Sequence, residues 1–160
     1  MVAAISASAT GSVTNTVTVS AANDTNPANN SATDTDTLAR ATISGYVYSD
    51  NNWDGVFDAD DTGIAGIVLF LTGTDSQGNA VSLTANTDAN GYYSFGNLPA
   101  GTYTVSQPFV GGGYTDGANN LGTVNGAANG TVTDTSLAQI ALAAGDQGIN
   151  YDFGYFPPGT

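Results

Sequence analysis

The stretch ISGYVYSDNNWDGVFDADDTGIAGIVLFLTG, Ile43 to Gly73, decides the fold. Its first part alternates. Ile43, Gly45 and Val47 fall on one face and Tyr46 and Tyr48 on the other, the two-residue period of a strand. Its last part, GIVLFLTG (66–73), is continuously apolar, short and β-branched, so it reads as a strand buried on both faces rather than a helix. Between the two strands lies a loop crowded with like charges. Asp50, Asp54, Asp58, Asp60 and Asp61 fall between positions 50 and 61.

Counted from Asp50 as position 1, Asn52 stands at 3, Asp54 at 5, Gly55 at 6, Val56 at 7, Asp58 at 9 and Asp61 at 12. This is the D-x-N-x-D-G spacing of an EF-hand-like calcium loop, carried to its twelfth position. Ca²⁺ takes six to eight hard oxygens at about 2.4 Å, and alternate residues of a tight loop turn their oxygens inward. Gly55 permits the bend, and Val56 offers a backbone carbonyl. Asp50, Asn52, Asp54, Val56, Asp58 and Asp61 are therefore the candidate ligands, with Ca²⁺ as the cofactor. Mg²⁺ suits an all-protein cage less well. Position 12 is usually Glu; Asp61 is one methylene shorter, and Asp60 is an additional candidate beside it. Asp88, with Asn90, forms a turn in TDANG (87–91) and is a further candidate ligand. Asp116 and Asp152 qualify only if the fold brings them to the loop.

Outward from this stretch, short strands recur between Gly, Asn and Asp turns. AVSLTANT (80–87) points Val81, Leu83 and Ala85 inward. YYSF (92–95), TYTVSQ (102–107), LAQIAL (137–142) and INYDFGYF (149–156) complete the set. The Gly- and Asn-rich stretch 110–130 reads as loops. TSLAQIALAAG is the one place where a helical turn is compatible with the pattern. Short strands at this spacing argue for an all-β chain, an antiparallel Greek-key β-sandwich. Residues 1–40 form a separate extension and residues 41–160 the sandwich. In the extension, Val13, Asn15, Val17 and Val19 lie on one face and Thr14, Thr16 and Thr18 on the other. A single strand of this kind cannot bury its own apolar face.

Composition limits the function. The net charge is -13, all fourteen acidic residues are Asp, and Arg40 is the single basic residue. Nucleic acid and anionic membranes are repelled, and no apolar run approaches the roughly 18 residues of a membrane span. Without Cys, His or Lys there is no disulfide, no thiolate, no imidazole base and no Lys–Asn cross-link. No enzyme activity is expected. The opening MVAAISASATGSV lacks the basic and apolar regions of a signal peptide.

The three segments ISGYVYSDNNWDGVFDADDTGIAGIVLFLTG, TDANGYYSFGNLPAGTYTV and INYDFGY occur in order and together resemble the SdrD B-type domain. This is a Cna-B-related module of bacterial surface adhesins. The resemblance runs from about Thr42 to Phe156. It implies a prealbumin- or Ig-like sandwich stiffened by calcium at Asp50, Asn52, Asp54, Asp58 and Asp61, serving as a stalk or spacer on the cell surface or outside the cell. The segment TNTVTVSAANDTNPANNSATDTDTL resembles the last hairpin of bacterial surface Ig-like repeats. LPAGT (98–102) differs from a sortase signal in its fourth residue and reads as a strand–turn.

These readings predict a calcium-stabilised structural module of a fibre or adhesin stalk. Its partners are other copies of the chain or neighbouring domains of a longer protein. Val13, Val17 and Val19 are the candidate donor-strand residues, inserting at a sheet edge of the next subunit. The alternative is a carbohydrate- or protein-binding adhesin domain using Tyr46, Tyr48, Trp53, Tyr92, Tyr93 and Tyr103 as a platform. Asn23, Asn29 and Asn129 stand in N-x-[ST] sequons and are candidate glycosylation sites.

Overall fold

The computed structural model describes residue 9, residues 11–108 and residues 110–159. Of the opening MVAAISASATGSV, residues 1–8 and 10 lie outside them. The chain divides into two units, Met1–Ala39 and Arg40–Thr160.

In the first unit, β1 (Ser12–Thr18) pairs antiparallel with β2 (Ser31–Thr37), with Thr14 opposite Thr35 and Thr16 opposite Thr33. The alternating segment is thus not a lone strand. Its partner SATDTDT has no apolar periodicity, so the sequence pattern does not mark it as a strand. Side-chain hydrogen bonds Thr14–Thr35 (3.2 Å) and Thr16–Thr33 (3.1 Å) link the two strands on the threonine face. On the other face Val17 is 56% exposed, and Val19 beyond the strand is 65% exposed.

The second unit contains β3 (Ala41–Ser49), β4 (Thr62–Gly63), β5 (Val68–Asp75), β6 (Ala80–Asn86), β7 (Tyr92–Leu98), β8 (Gly101–Ser106), β9 (Thr115–Asn120), β10 (Thr123–Val124), β11 (Ala127–Ala128), β12 (Thr131–Val132), β13 (Ser136–Leu142), β14 (Gln147–Ile149) and β15 (Asp152–Phe156). Five of them form one sheet in the order β12-β13-β8-β5-β6. The other sheet runs β11-β10-β14-β3-β15-β9, with β7 and β4 on the second edge of β3. Alternate residues of both sheets meet in a sandwich core: Ile43 and Val47 from β3, Leu69 and Leu71 from β5, Tyr93 and Phe95 from β7, Tyr103 and Val105 from β8, and Phe153 from β15. Buried phenols find acceptors. Tyr93 donates to the Tyr151 carbonyl (2.6 Å) and Tyr103 to that of Pro99 (2.7 Å).

Three expectations change. The sandwich is not wholly antiparallel, since β14 and β15 both run parallel to β3. The stretch 66–73 is buried on one face only, because β5 alternates. Leu69 and Leu71 are fully buried, whereas Val68 and Phe70 are 40% and 41% exposed. The region 110–130 contains β9, β10 and β11, held by backbone pairing without an apolar pattern. LAQIAL forms a strand as expected, within β13, with a bulge between Leu137 and Ile140, where Gln139 takes φ 55°. Leu83 points inward as expected but stays 40% exposed, since β6 is the sheet edge.

Candidate metal centre

The acidic loop leaves β3 at its buried end. Asp50 is fully buried, and its N–H donates to the Tyr155 carbonyl of β15 at 2.7 Å. Its carboxylate then caps the loop from inside. Oδ1 accepts from the Trp53 N–H (2.7 Å) and Oδ2 from the Gly55 N–H (2.9 Å). A ladder of Asx turns follows. Asn52 Oδ1 accepts from the Asp54 N–H (3.1 Å), Asp54 Oδ1 from the Val56 N–H (2.8 Å), and Asp58 Oδ1 from the Asp60 N–H (2.8 Å). Asp61 closes the loop, accepting from the N–H groups of Asn51 (2.9 Å) and Asp58 (3.1 Å).

Gly55 makes the bend at φ 77°, as its position requires. Trp53 is a second left-handed residue, at φ 66°. Stacking offsets that strain: its indole lies on Phe156 with centroids 4.1 Å apart and planes at 14°. Phe57 anchors the loop's second half against Tyr46 (4.6 Å) and Tyr48 (5.0 Å). Asn120 of β9 holds the bend from across the molecule. Its Nδ2 donates to the Gly55 carbonyl (2.8 Å) and to the Tyr48 hydroxyl (3.1 Å). Burial, then the charges of Asp50, Asp152 and Asp61, push the Tyr48 phenol well up. Asn51 ties the two ends, donating to the Asp60 carbonyl (3.0 Å) and the Thr62 hydroxyl (3.2 Å). Sequence reasoning passed over Asn51 and Asn120, because neither occupies a ligand position of the repeat.

By chemistry the donor set suits Ca²⁺: carboxylates, an amide oxygen and backbone carbonyls, all hard oxygens on a curled backbone. The carboxylates themselves are turned to the loop's own N–H groups. Among the described residues no group of three or more acidic side chains is gathered as an ion requires. Asp60 is exposed at the rim. Asp88 lies elsewhere and serves its own turn, accepting from the N–H groups of Asn90 (2.8 Å) and Tyr92 (3.0 Å). Asp152 does come near: it shares a cavity with Val56 and Phe57 and accepts from the Tyr46 N–H at 2.8 Å. Burial pushes its carboxyl up to about 6. Asp116 lines a different cavity.

The aromatic platform does not assemble. Tyr48, Tyr93 and Tyr103 are sealed in the interior, leaving Trp53 and Tyr92 as the exposed rings of the six. Of the sequons, Asn23 and Asn29 are exposed. Asn129 is pinned to β13, donating to the Ala141 carbonyl (3.1 Å) and accepting its N–H (2.8 Å), so its amide is not presented for modification.

Taken together, Arg40–Thr160 is an all-β sandwich module with an aspartate-turn loop clamped between β3, β9 and β15. Residues 41–155 match the SdrD B-like domain, and the chain belongs to that family. Serine-aspartate repeat-containing protein F of Staphylococcus epidermidis is 36% identical over 111 residues, 69% of this chain and 6% of that protein. Serine-aspartate repeat-containing protein C of Staphylococcus aureus is 36% identical over 115 residues, 71% of this chain and 12% of that protein. Serine-aspartate repeat-containing protein I of Staphylococcus saprophyticus is 47% identical over 60 residues, 38% of this chain and 3% of that protein. The chain thus spans a small fraction of these relatives. Among solved structures, the major plantain pollen allergen Pla l 1 superposes with a TM-score of 0.44 at 16% identity, over 76% of this chain and all of that one. That likeness is too distant to carry an argument.

Proposed function

We propose that this chain is a calcium-stabilised structural module of an extracellular, cell-surface protein, and that its N-terminal hairpin joins one copy to the next. The observation that carries the calcium reading is the Asx-turn ladder. Each carboxylate engaged with an N–H keeps unused lone pairs, so an ion can be gathered by side-chain rotation on a backbone already curled. A bound ion supplies positive charge where five carboxylates otherwise repel. Asp50, Asn52, Asp54, Asp58 and Asp61 would hold it with the Val56 carbonyl, and Asp60 at the rim is the spare carboxylate. With no cysteine and no lysine, the chain has no disulfide or lysine-derived cross-link to do this work.

An ion bound only by the folded state adds RT ln(1 + [L]/Kd), about 2.7 kcal/mol at a hundredfold excess over Kd. Chelator should therefore lower the melting temperature by on the order of 10 °C. Asp54→Ala should melt at one temperature with or without calcium. Superimposable wild-type melting curves in calcium and in chelator would refute the structural ion.

The assembly reading rests on two exposed features. The hairpin leaves Val17 and Val19 in solvent, and β6 leaves Leu83 exposed at the open edge of its sheet. A strand of a second copy lying along β6 would satisfy the edge and cover Leu83 with alternate valines, Val13 and Val17 among them. Because donor and acceptor are different surfaces, the contact repeats head to tail into an open fibre.

A further inference from the structure

A cavity of about 120 Å³ lies beside β15, away from the acidic loop, and is lined by Gln107, Asp116, Asp134, Thr135, Phe153 and Tyr155. Two of these residues face each other across paired strands. β8 and β13 run antiparallel, with Leu137 opposite Val105 and Ser136 opposite Ser106. One step further along this register stands Thr135 opposite Gln107, and the Gln107 N–H donates to the Thr135 carbonyl at 3.4 Å. Leu137 and Val105 are both fully buried. The two-residue period of a strand therefore puts Thr135 and Gln107 on the same inward face. Side chains directly opposite in this way have Cβ atoms about 4.5–5.5 Å apart.

Gln107 is 4% exposed, and its Oε1 is buried without a hydrogen-bond partner. Its Nε2 donates to the Pro108 carbonyl. A buried amide oxygen in that state forfeits its water and receives nothing, which folded proteins avoid. The cavity thus gathers a carboxamide with an unused carbonyl, a hydroxyl across the ladder from it, and two carboxyl groups. Those carboxyls feel each other: desolvation, then the negative charge of Asp134, pushes the Asp116 carboxyl up. Asp116 therefore holds a proton to a higher pH than an ordinary aspartate. One carboxyl that gives a proton beside another that takes one is the pairing that acyl transfer needs. The chain has no histidine to play either part.

We propose that Thr135 and Gln107 form an intramolecular ester, closed by the protein itself with loss of ammonia. Thr135 Oγ1 attacks Gln107 Cδ while Asp134 takes the hydroxyl proton. The carbonyl electron pair moves onto Oε1, and the Asp116 carboxyl donates a hydrogen bond to it there. The tetrahedral centre then collapses. Its C–N bond breaks, and Nε2 leaves as ammonia with the proton that Asp134 held. One hydroxyl and one carboxamide become one ester and one ammonia, with no electrons gained or lost. Ammonia is protonated in bulk water and carried off, which draws the exchange forward. A link through Oγ1, Cδ and Cγ, when extended, bridges the Cβ separation of an opposed pair. The bond needs neither the cysteine nor the lysine that this chain lacks. It fastens the end of β8 to the β12–β13 turn and closes a loop that carries β9, β10, β11 and β12, which restricts the unfolded chain.

Intact mass reads the bond directly and does not depend on the acidic loop. The full chain, denatured in acid, should be lighter than its sequence by one ammonia. Peptic digestion should return Gln107 and Thr135 in one linked peptide that hydroxylamine separates. Thr135→Val keeps the bulk of the side chain without its hydroxyl and should show its full sequence mass. It should also melt below the linked wild type. Asp116→Asn and Asp134→Asn should each slow the loss of ammonia about a hundredfold after folding. The asparagine–glycine steps at Asn90, Asn125 and Asn129 can shed ammonia by forming succinimides, but that loss is indifferent to Thr135. A wild-type chain at its full sequence mass, or a loss of ammonia that persists in Thr135→Val, would overturn the proposal. The wild-type digest decides even if the variants fail to fold: with Gln107 and Thr135 in separate peptides there is no ester.

Discussion

At the scale of single residues, Asp152 shows how burial and charge compete beside the loop. It is 7% exposed, it accepts from the Tyr46 N–H, and burial holds its carboxyl at about 6 against an ordinary 3.8. A carboxyl whose folded pKa is raised favours folding only while protonated. Its contribution is complete below the unfolded value near 4 and is lost as the pH rises through about 6. At neutral pH the ionised group therefore costs about 3 kcal/mol, at roughly 1.4 kcal/mol per unit. Asp152→Asn keeps the acceptor for Tyr46 and removes the charge. In chelator it should raise the urea midpoint at pH 7 and leave it nearly unchanged at pH 4. Equal shifts at the two pH values would exclude a charge-burial penalty. The loop's own aspartates were legible from sequence because their chemistry is encoded by spacing within twelve positions. Asp152 was not, since its significance depends on a strand pairing that brings it across more than a hundred residues to Tyr46.

At the scale of elements, bulges decide which side chains enter the core. Leu137 and Ile140 are both buried, although three residues apart. An unbroken strand would put one of them outside. The left-handed turn at Gln139, φ 55°, inserts the extra residue that returns Ile140 to the interior. The same three-residue spacing is what makes TSLAQIAL compatible with a helical turn as well as with the strand it forms. β9 was missed for the converse reason: TDGANN has no apolar pattern, and it is held by its pairing with β15. The alternating strands β3, β7 and β8 were legible because their inward residues are large and apolar. The bulge yields a test that runs against ordinary strand preference. Valine favours strands, yet a β-branched side chain is excluded from positive φ. Gln139→Val should destabilise by about 1–3 kcal/mol, while Gln139→Gly should be nearly neutral. Paired thermal melts decide it, and a valine variant at least as stable as the glycine variant would sink the bulge argument.

At the scale of the whole molecule, the question is what a two-stranded hairpin is for. A hairpin alone is marginal in water; a third strand or a packed face is needed to hold it. β1–β2 has threonine hydrogen bonds on one face and exposed valine on the other, and among the described residues no third strand pairs with either. The edge strand β6 is seven residues long, as is β1, and contains neither proline nor a charged side chain to deter pairing. Under the proposed assembly these two incomplete features complete each other between copies. The reach of one copy to the next is then fixed by the sandwich, and ions that stiffen the sandwich stiffen the fibre. Negative-stain microscopy of concentrated protein in calcium should show filaments. Val17→Asp/Val19→Asp on the donor and Leu83→Asp on the acceptor should each leave single particles. Mixing the two variants should give dimers and no longer species, because each retains one intact half of the contact. Wild-type protein that stays monodisperse at high concentration would mean that the hairpin packs within its own chain or against a different domain, and strand exchange between copies would be wrong.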